Sequence, residues 1–108
     1  MRHLINYKYE SVKAFQDMDM NRQTDLLEWC KQSFKKRNYI NYDTMPSNEL
    51  KQLYEKDDTT LYSSITNEEF KGAMLYLGYK YTNEENMRFN ISIESETELR
   101  HRINDFNN

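Results

Sequence analysis

A chain of 108 residues, 37% of them apolar, can bury one modest core, so a single domain is expected. No window approaches the roughly 18 apolar residues of a membrane span, and MRHLINYKYES lacks the apolar run of a signal peptide, so a cytoplasmic protein with no membrane partner is expected. The single cysteine, Cys30, excludes an internal disulfide and reads as a small buried hydrophobe on a helix face.

The net charge of −3 conceals an asymmetry. Residues 1–42 carry eight Lys/Arg against five Asp/Glu, a balance of +3, whereas residues 43–108 carry seven against thirteen, a balance of −6. A basic half suits phosphates and an acidic half suits basic protein surfaces.

Along the chain, Val12, Phe15 and Met18 space a short first helix. Asn21 is the expected cap of a second that runs to about Arg37 with Leu26, Leu27, Cys30 and Phe34 inward, and the two form an αα-hairpin. Asn38 to Thr44 reads as loop. Pro46 and Ser47 open a third helix with Leu50, Leu53 and Tyr54 at helical spacing, ending near Asp57, and Thr59 to Ser64 is short and β-prone. Thr66 and Glu69 then form an S/T-x-x-E capping box flanked by the hydrophobic staple of Ile65 and Phe70. Phe70, Ala73, Met74 and Leu77 recur at i, i+3, i+4 and i+7, and Gly78 falls where a helix stops in a left-handed residue. Gly72 inside that helix costs about 1 kcal/mol relative to Ala, so it marks the close approach of another helix. Phe89, Ile91 and Ile93 alternate with Arg88, Asn90 and Ser92, and Thr82 to Asn86 turns back towards Tyr79 and Tyr81, which predicts a hairpin. Ser95 and Glu98 make a second capping box before Leu99, Ile103 and Phe106, so residues 94–108 are expected to be a C-terminal helix or a mobile tail. The expected fold is mainly α with a small β-hairpin: a winged helix-turn-helix over residues 1–93, opened by the αα-hairpin.

Few residues invite catalysis or metal chemistry. Asp17, Asp19, Asn21, Asp25 and Glu28 have the spacing of an EF-hand loop, but Arg22 stands where its turn needs Gly and Thr24 where an aliphatic residue belongs. A turn, a cap and acidic residues in a helix's first turn explain the same pattern. His3 and His101 lie far apart, no Cys pair is present and Gly72 and Gly78 cannot form a phosphate loop, so neither enzyme nor cofactor is expected.

Binding is better supported. Lys31, Lys35, Lys36 and Arg37 cluster with Phe34, Tyr39 and Tyr42, and Lys80 and Arg88 fall on the expected hairpin. Cations can meet phosphates while exposed rings stack on bases, worth roughly 1–3 kcal/mol per stacked base. Against ordinary major-groove readout, the first turn of the capped helix offers Asn67, Glu68 and Glu69, and Lys71 alone does not offset the two carboxylates.

The run NELKQLYEKDDTTLYSSITNEEFKGAMLYLGYKYTNEENMRFNIS, with the upstream AFQDM and FKKRNYINYD, resembles small proteins of Gram-positive phages and staphylococcal cassette chromosome elements that include a single-stranded-DNA-binding winged helix-turn-helix protein. The likeness spans about residues 9–93 and is sharpest at Thr66-Asn67, Phe70 to Met74, Gly78-Tyr79 and Arg88 to Ile91. It implies a winged helix, a mobile-element origin and single-strand binding in replication or recombination.

Two readings follow. In the first, a non-enzymatic accessory protein binds single-stranded DNA through Lys31, Lys35, Lys36, Arg37, Tyr39 and Tyr42, aided by Lys80 and Arg88. In the second, a phage inhibitor resembling an anti-CRISPR occupies the basic channel of a host defence nuclease through Glu68, Glu69, Glu84, Glu85, Glu94, Glu96 and Glu98, which mimic phosphate charge. A dimeric transcriptional regulator ranks below both, because the capped helix lacks a basic face; a homodimer is compatible with any of the three.

Overall fold

Fifteen aromatic side chains (nine Tyr, five Phe and one Trp) make up a large share of the apolar content, and their packing ties the elements together. In a computed structural model, which describes the backbone of residues 6–107 and the side chains of residues 6–104, five helices surround one core: α1 (Tyr7–Gln16), α2 (Met20–Ser33), α3 (Ser47–Lys56), α4 (Asn67–Tyr76) and α5 (Ile93–Asn107). The molecule is mainly helical, with little extended structure. His3 and the side chain of Phe106 lie outside the described residues. A chain of edge-to-face ring contacts runs from Tyr54 of α3 through Trp29 of α2 and Phe34 to Phe70 of α4 and Phe89, with centroids 5.3 to 6.4 Å apart. Such pairs add about 0.5–1.5 kcal/mol each beyond burial. Leu99 and Ile103 bring α5 into the same core.

Helix α4 follows its local code closely. Thr66 accepts from the Glu69 N–H and Glu69 from the Thr66 N–H, closing the capping box. At the other end Gly78 takes φ 84°, while the Gly78 and Tyr79 N–H groups donate to the carbonyls of Leu75 and Met74, the two bonds of a Schellman stop. Between these ends α1 packs so closely that a Cβ on Gly72 would lie 2.2 Å from the Ser11 carbonyl oxygen and 2.4 Å from Phe15 Cβ. Glycine is required there because backbone cannot yield as a side-chain tip can.

Elsewhere long-range pairing overrides local expectation. Helix α2 is capped at Asp19, not Asn21, and stops at Ser33, four residues before Arg37. Phe34 turns extended, and residues 35–37 pair antiparallel with 90–92: the Arg37 N–H donates to the Asn90 carbonyl and the Ser92 N–H to the Lys35 carbonyl. Residues 80–82 pair with 88–90 on the other side through the Thr82 and Asn90 N–H groups. Each pairing is a single isolated bridge. The segment 59–64 forms no strand, and Ile93 is the exposed first residue of α5, not the last of a strand. Ser92, whose Oγ accepts from the Ser95 N–H, does the capping expected of Ser95, which is itself buried. The EF-hand spacing collapses similarly: Asn21, Asp25 and Glu28 lie on continuous helix, and Asp25 accepts from the Tyr54 hydroxyl.

Candidate nucleic-acid interface

The central segment 88–92 is held on both sides by one side chain. Buried Asn90 donates from Nδ2 to the Arg37 carbonyl (2.7 Å) and accepts at Oδ1 from the Lys80 N–H (2.7 Å). Side chains alternate across such a patch, so the register of Lys36 opposite Ile91 and Tyr81 opposite Phe89 turns Lys35 and Arg37 to the same face as Arg88, Asn90 and Lys80. Lys36 faces the other way. Its ammonium donates to the Leu77 carbonyl (2.7 Å) at the end of α4 and sits 5.0 Å from the Tyr79 ring centre, a cation at a helix C-terminus.

Lys80 and Arg88 are engaged as well. Lys80 Nζ donates to the Asn38 carbonyl (2.6 Å) and lies 5.9 Å from the centre of the Tyr39 ring. Arg88 Nη1 donates to the carbonyls of Thr44 (2.6 Å) and Tyr42 (3.2 Å). These bonds hold the loop that carries Tyr39, 73% exposed, and Tyr42, 66% exposed. Buried Asn41 anchors the loop between the two rings, donating from its backbone N–H to Phe89 O and from Nδ2 to Ile91 O. Lys31, Lys35 and Arg37 are exposed, and among the described residues their side chains have no hydrogen-bond or ion-pair partner. Lys31 sits in the last turn of α2, whereas Lys35, Lys36 and Arg37 do not belong to that helix as the sequence suggested.

The carboxylates divide differently from expectation. Glu96 is buried at 1% exposure and accepts from the Met45 N–H (3.0 Å), so it presents no charge to a partner; burial raises its pKa, opposed by that bond and by Arg100. Glu68 accepts from the Ser11 hydroxyl and pairs with Lys71 at 2.8 Å, and Glu69 is occupied by the capping box. Glu84, Glu85, Glu94 and Glu98 are exposed without an ion pair among the described residues. Lys71 is buried rather than facing solvent from α4, with Nζ also donating to the Glu85 carbonyl (2.6 Å) and 5.3 Å from the Tyr7 ring centre.

No family profile, curated protein or solved structure matches this chain.

Among the described residues no three His, Cys, Asp or Glu side chains converge as a metal site requires. A cleft of about 400 Å³ opens beside Trp29, Thr59, Glu98 and Arg102. Its one guanidinium is already taken: Arg102 forks onto buried Asp57 (2.7 and 3.2 Å), which also accepts from the Trp29 indole (2.8 Å) and from Thr59. Burial alone would raise the Asp57 carboxyl, but these donors outweigh it and hold the group below the usual aspartate range. The sequence reading missed this cluster, since Trp29, Asp57 and Arg102 are far apart along the chain; only the Asp-x-Thr turn at residues 57–59 hinted at it. Cys30 is fully buried, which pushes its thiol up and makes it a packing residue.

Proposed function

We propose that this protein binds single-stranded DNA as a non-enzymatic accessory factor, using Lys31, Lys35 and Arg37 for phosphates and Tyr39 and Tyr42 for bases. One observation carries the reading. Six of the eight described cations outside the strip, Lys13, Arg22, Lys51, Lys71, Arg100 and Arg102, pair with a carboxylate, whereas none of Lys31, Lys35, Lys36, Arg37, Lys80 and Arg88 does so among the described residues; Lys8, on the exposed face of α1, shares that state without a neighbouring cluster. A polyanion supplies what is missing. Exposed rings beside those cations favour unpaired bases, because the ring faces of a duplex are stacked inside it. The engaged carboxylates of Glu68 and Glu69 at the start of α4 disfavour a major-groove role for that helix.

A finer fold assignment fits the same reading. With α3 and α4 as a helix-turn-helix and residues 79–91 as the wing, Lys80 and Arg88 lie on the wing and Lys35, Lys36 and Arg37 on the segment paired with it, with Lys31 just before in α2. The phage or mobile-element setting rests on the sequence resemblance.

The test is fluorescence anisotropy with a labelled oligo-dT and a duplex of equal length at about 50 and 200 mM salt, the range over which phosphate contacts weaken binding. Preferential, salt-sensitive binding of the single strand is expected, and equal or absent binding would refute it. The second reading, inhibition of a basic host protein such as a defence nuclease, is favoured by exposed Glu84, Glu85, Glu94 and Glu98, which have no ion pair among the described residues. It requires charge reversal at Glu84 and Glu85 to abolish inhibition of such a nuclease.

A further inference from the structure

Three of the six strip cations spend their hydrogen bonds on carbonyl groups of the protein itself. Two of them, Arg88 and Lys80, converge on the Asn38 to Thr44 loop, reaching its start, middle and end through the carbonyls of Asn38, Tyr42 and Thr44. Inside the loop, the Asp43 N–H donates to Asn41 Oδ1 (3.0 Å) and the Thr44 hydroxyl to the Asn41 carbonyl (2.8 Å), while Asn41 itself is bonded down to the central segment. Every polar tie therefore orders the backbone beneath Tyr39 and Tyr42, yet both rings project into solvent. An ordered backbone under exposed rings lowers the ordering cost of stacking a ligand on them.

We propose, resting on the single-strand reading above, that Arg88 and Lys80 are positioning residues and that the loop they hold is a preformed stacking platform for nucleobases. The ligand class is then a strand with open base faces, not a polyanion in general. Phosphates are met by Lys31, Lys35 and Arg37, and the bases by Tyr39 and Tyr42. Roles for Arg88 and Lys80 as phosphate contacts, suggested by charge alone, are replaced by roles exerted through the loop.

The experiment compares a labelled oligo-dT with an abasic oligonucleotide of the same length and phosphate count, using the wild-type chain, Tyr39→Ala/Tyr42→Ala, Arg88→Met and Arg88→Lys. The wild type should bind the abasic strand at least tenfold more weakly, given roughly 5- to 140-fold per stacked base. The double tyrosine variant should bind both strands equally, at the wild-type level for the abasic one. Arg88→Met should lose the same base preference with its salt dependence unchanged, and amide exchange at Asn41 and Asp43 should quicken. Arg88→Lys, which can still reach one carbonyl, should recover part of the preference. If Arg88→Met instead keeps the base preference while its log–log salt slope falls by about 0.7, the increment of one phosphate contact on a single strand, Arg88 is a phosphate ligand and the proposal is wrong. Equal wild-type binding to both strands would also overturn it while leaving polyanion binding intact, whereas no binding to either would remove the underlying reading as well. Should Arg88→Met not fold, Lys80→Met, which removes the tie to the Asn38 carbonyl, takes its place with the same expected loss of base preference, and a retained preference overturns the positioning role; the tyrosine pair tests the platform independently, since both rings are exposed and their loss leaves the core untouched.

Discussion

Cations are used in two ways in this molecule. Around α1, α4 and α5 most are paired with carboxylates: Lys71 is buried between Glu68, the Glu85 carbonyl and the Tyr7 ring, and Arg102 is forked onto buried Asp57. In the paired segments 35–37, 80–82 and 88–92 they meet no carboxylate among the described residues, and three of the five, Lys36, Lys80 and Arg88, bond only to backbone carbonyls or aromatic faces. A carbonyl bond orients a cation without cancelling its charge, so the second region keeps a positive field that the first has neutralised. The difference separates charge neutralised by carboxylates from charge that is not, in a chain whose net charge of −3 would suggest neither.

The neutralised region should break most severely at its closest contact. Gly72→Ala puts a methyl group into the Ser11 carbonyl and should destabilise the protein by about 3 kcal/mol or more, beyond ordinary overpacking, because backbone must move. A thermal or urea melt measures it, and a wild-type midpoint would mean that α1 does not rest on α4 as described.

Asp57→Ala comes next. It strands the Trp29 indole and the Thr59 N–H and frees Arg102, for a cost of roughly 2–4 kcal/mol. Its acid behaviour adds a sign. The folded-state pKa of Asp57 is depressed, so its contribution is present above the ordinary aspartate value of about 3.9 and is lost as pH falls below that. The variant should show a shallower loss of stability on acidification.

Glu96 slopes the other way. Burial raises its folded-state pKa, so the stability it confers is fully present below the ordinary glutamate value of about 4.3 and is lost as pH rises through the raised one. Glu96→Gln, which can still accept from the Met45 N–H, should flatten that decline and leave stability at neutral pH equal or higher. Urea midpoints across pH 4 to 7 compare the two proteins; a variant that lost stability at neutral pH would contradict the assignment.

How much of this was legible in the sequence differs between the same two regions. Helix α4 could be read in full from Thr66, Glu69 and Gly78, because caps and stops are written within a few residues of one another. The close approach at Gly72 was legible too, since an interior helix glycine needs a reason, although its partner was not. The basic strip was legible only as composition. Lys35 to Arg37 read as helix because apolar spacing through Phe34 continues the period of α2, and only pairing with residues 90–92, more than 50 positions away, makes them extended. The same distance hid the roles of Asn90, Arg88 and Lys80, whose acceptors lie in another segment. Glu96 counted as a surface charge for want of any local sign that the Met45 N–H would draw it inward.

The comparison is tested most directly by neutralising only the cations that have no partner among the described residues of the strip, in Lys31→Gln/Lys35→Gln/Arg37→Gln. Exposed side chains without partners contribute little to folding, so its stability should stay within about 0.5 kcal/mol of wild type. Its affinity for oligo-dT should collapse, and the log–log salt slope should lessen by about 2, the increment of three phosphate contacts on a single strand. Unchanged oligo-dT affinity in a triple variant that folds normally would contradict the claim that these charges are held for a nucleic-acid strand.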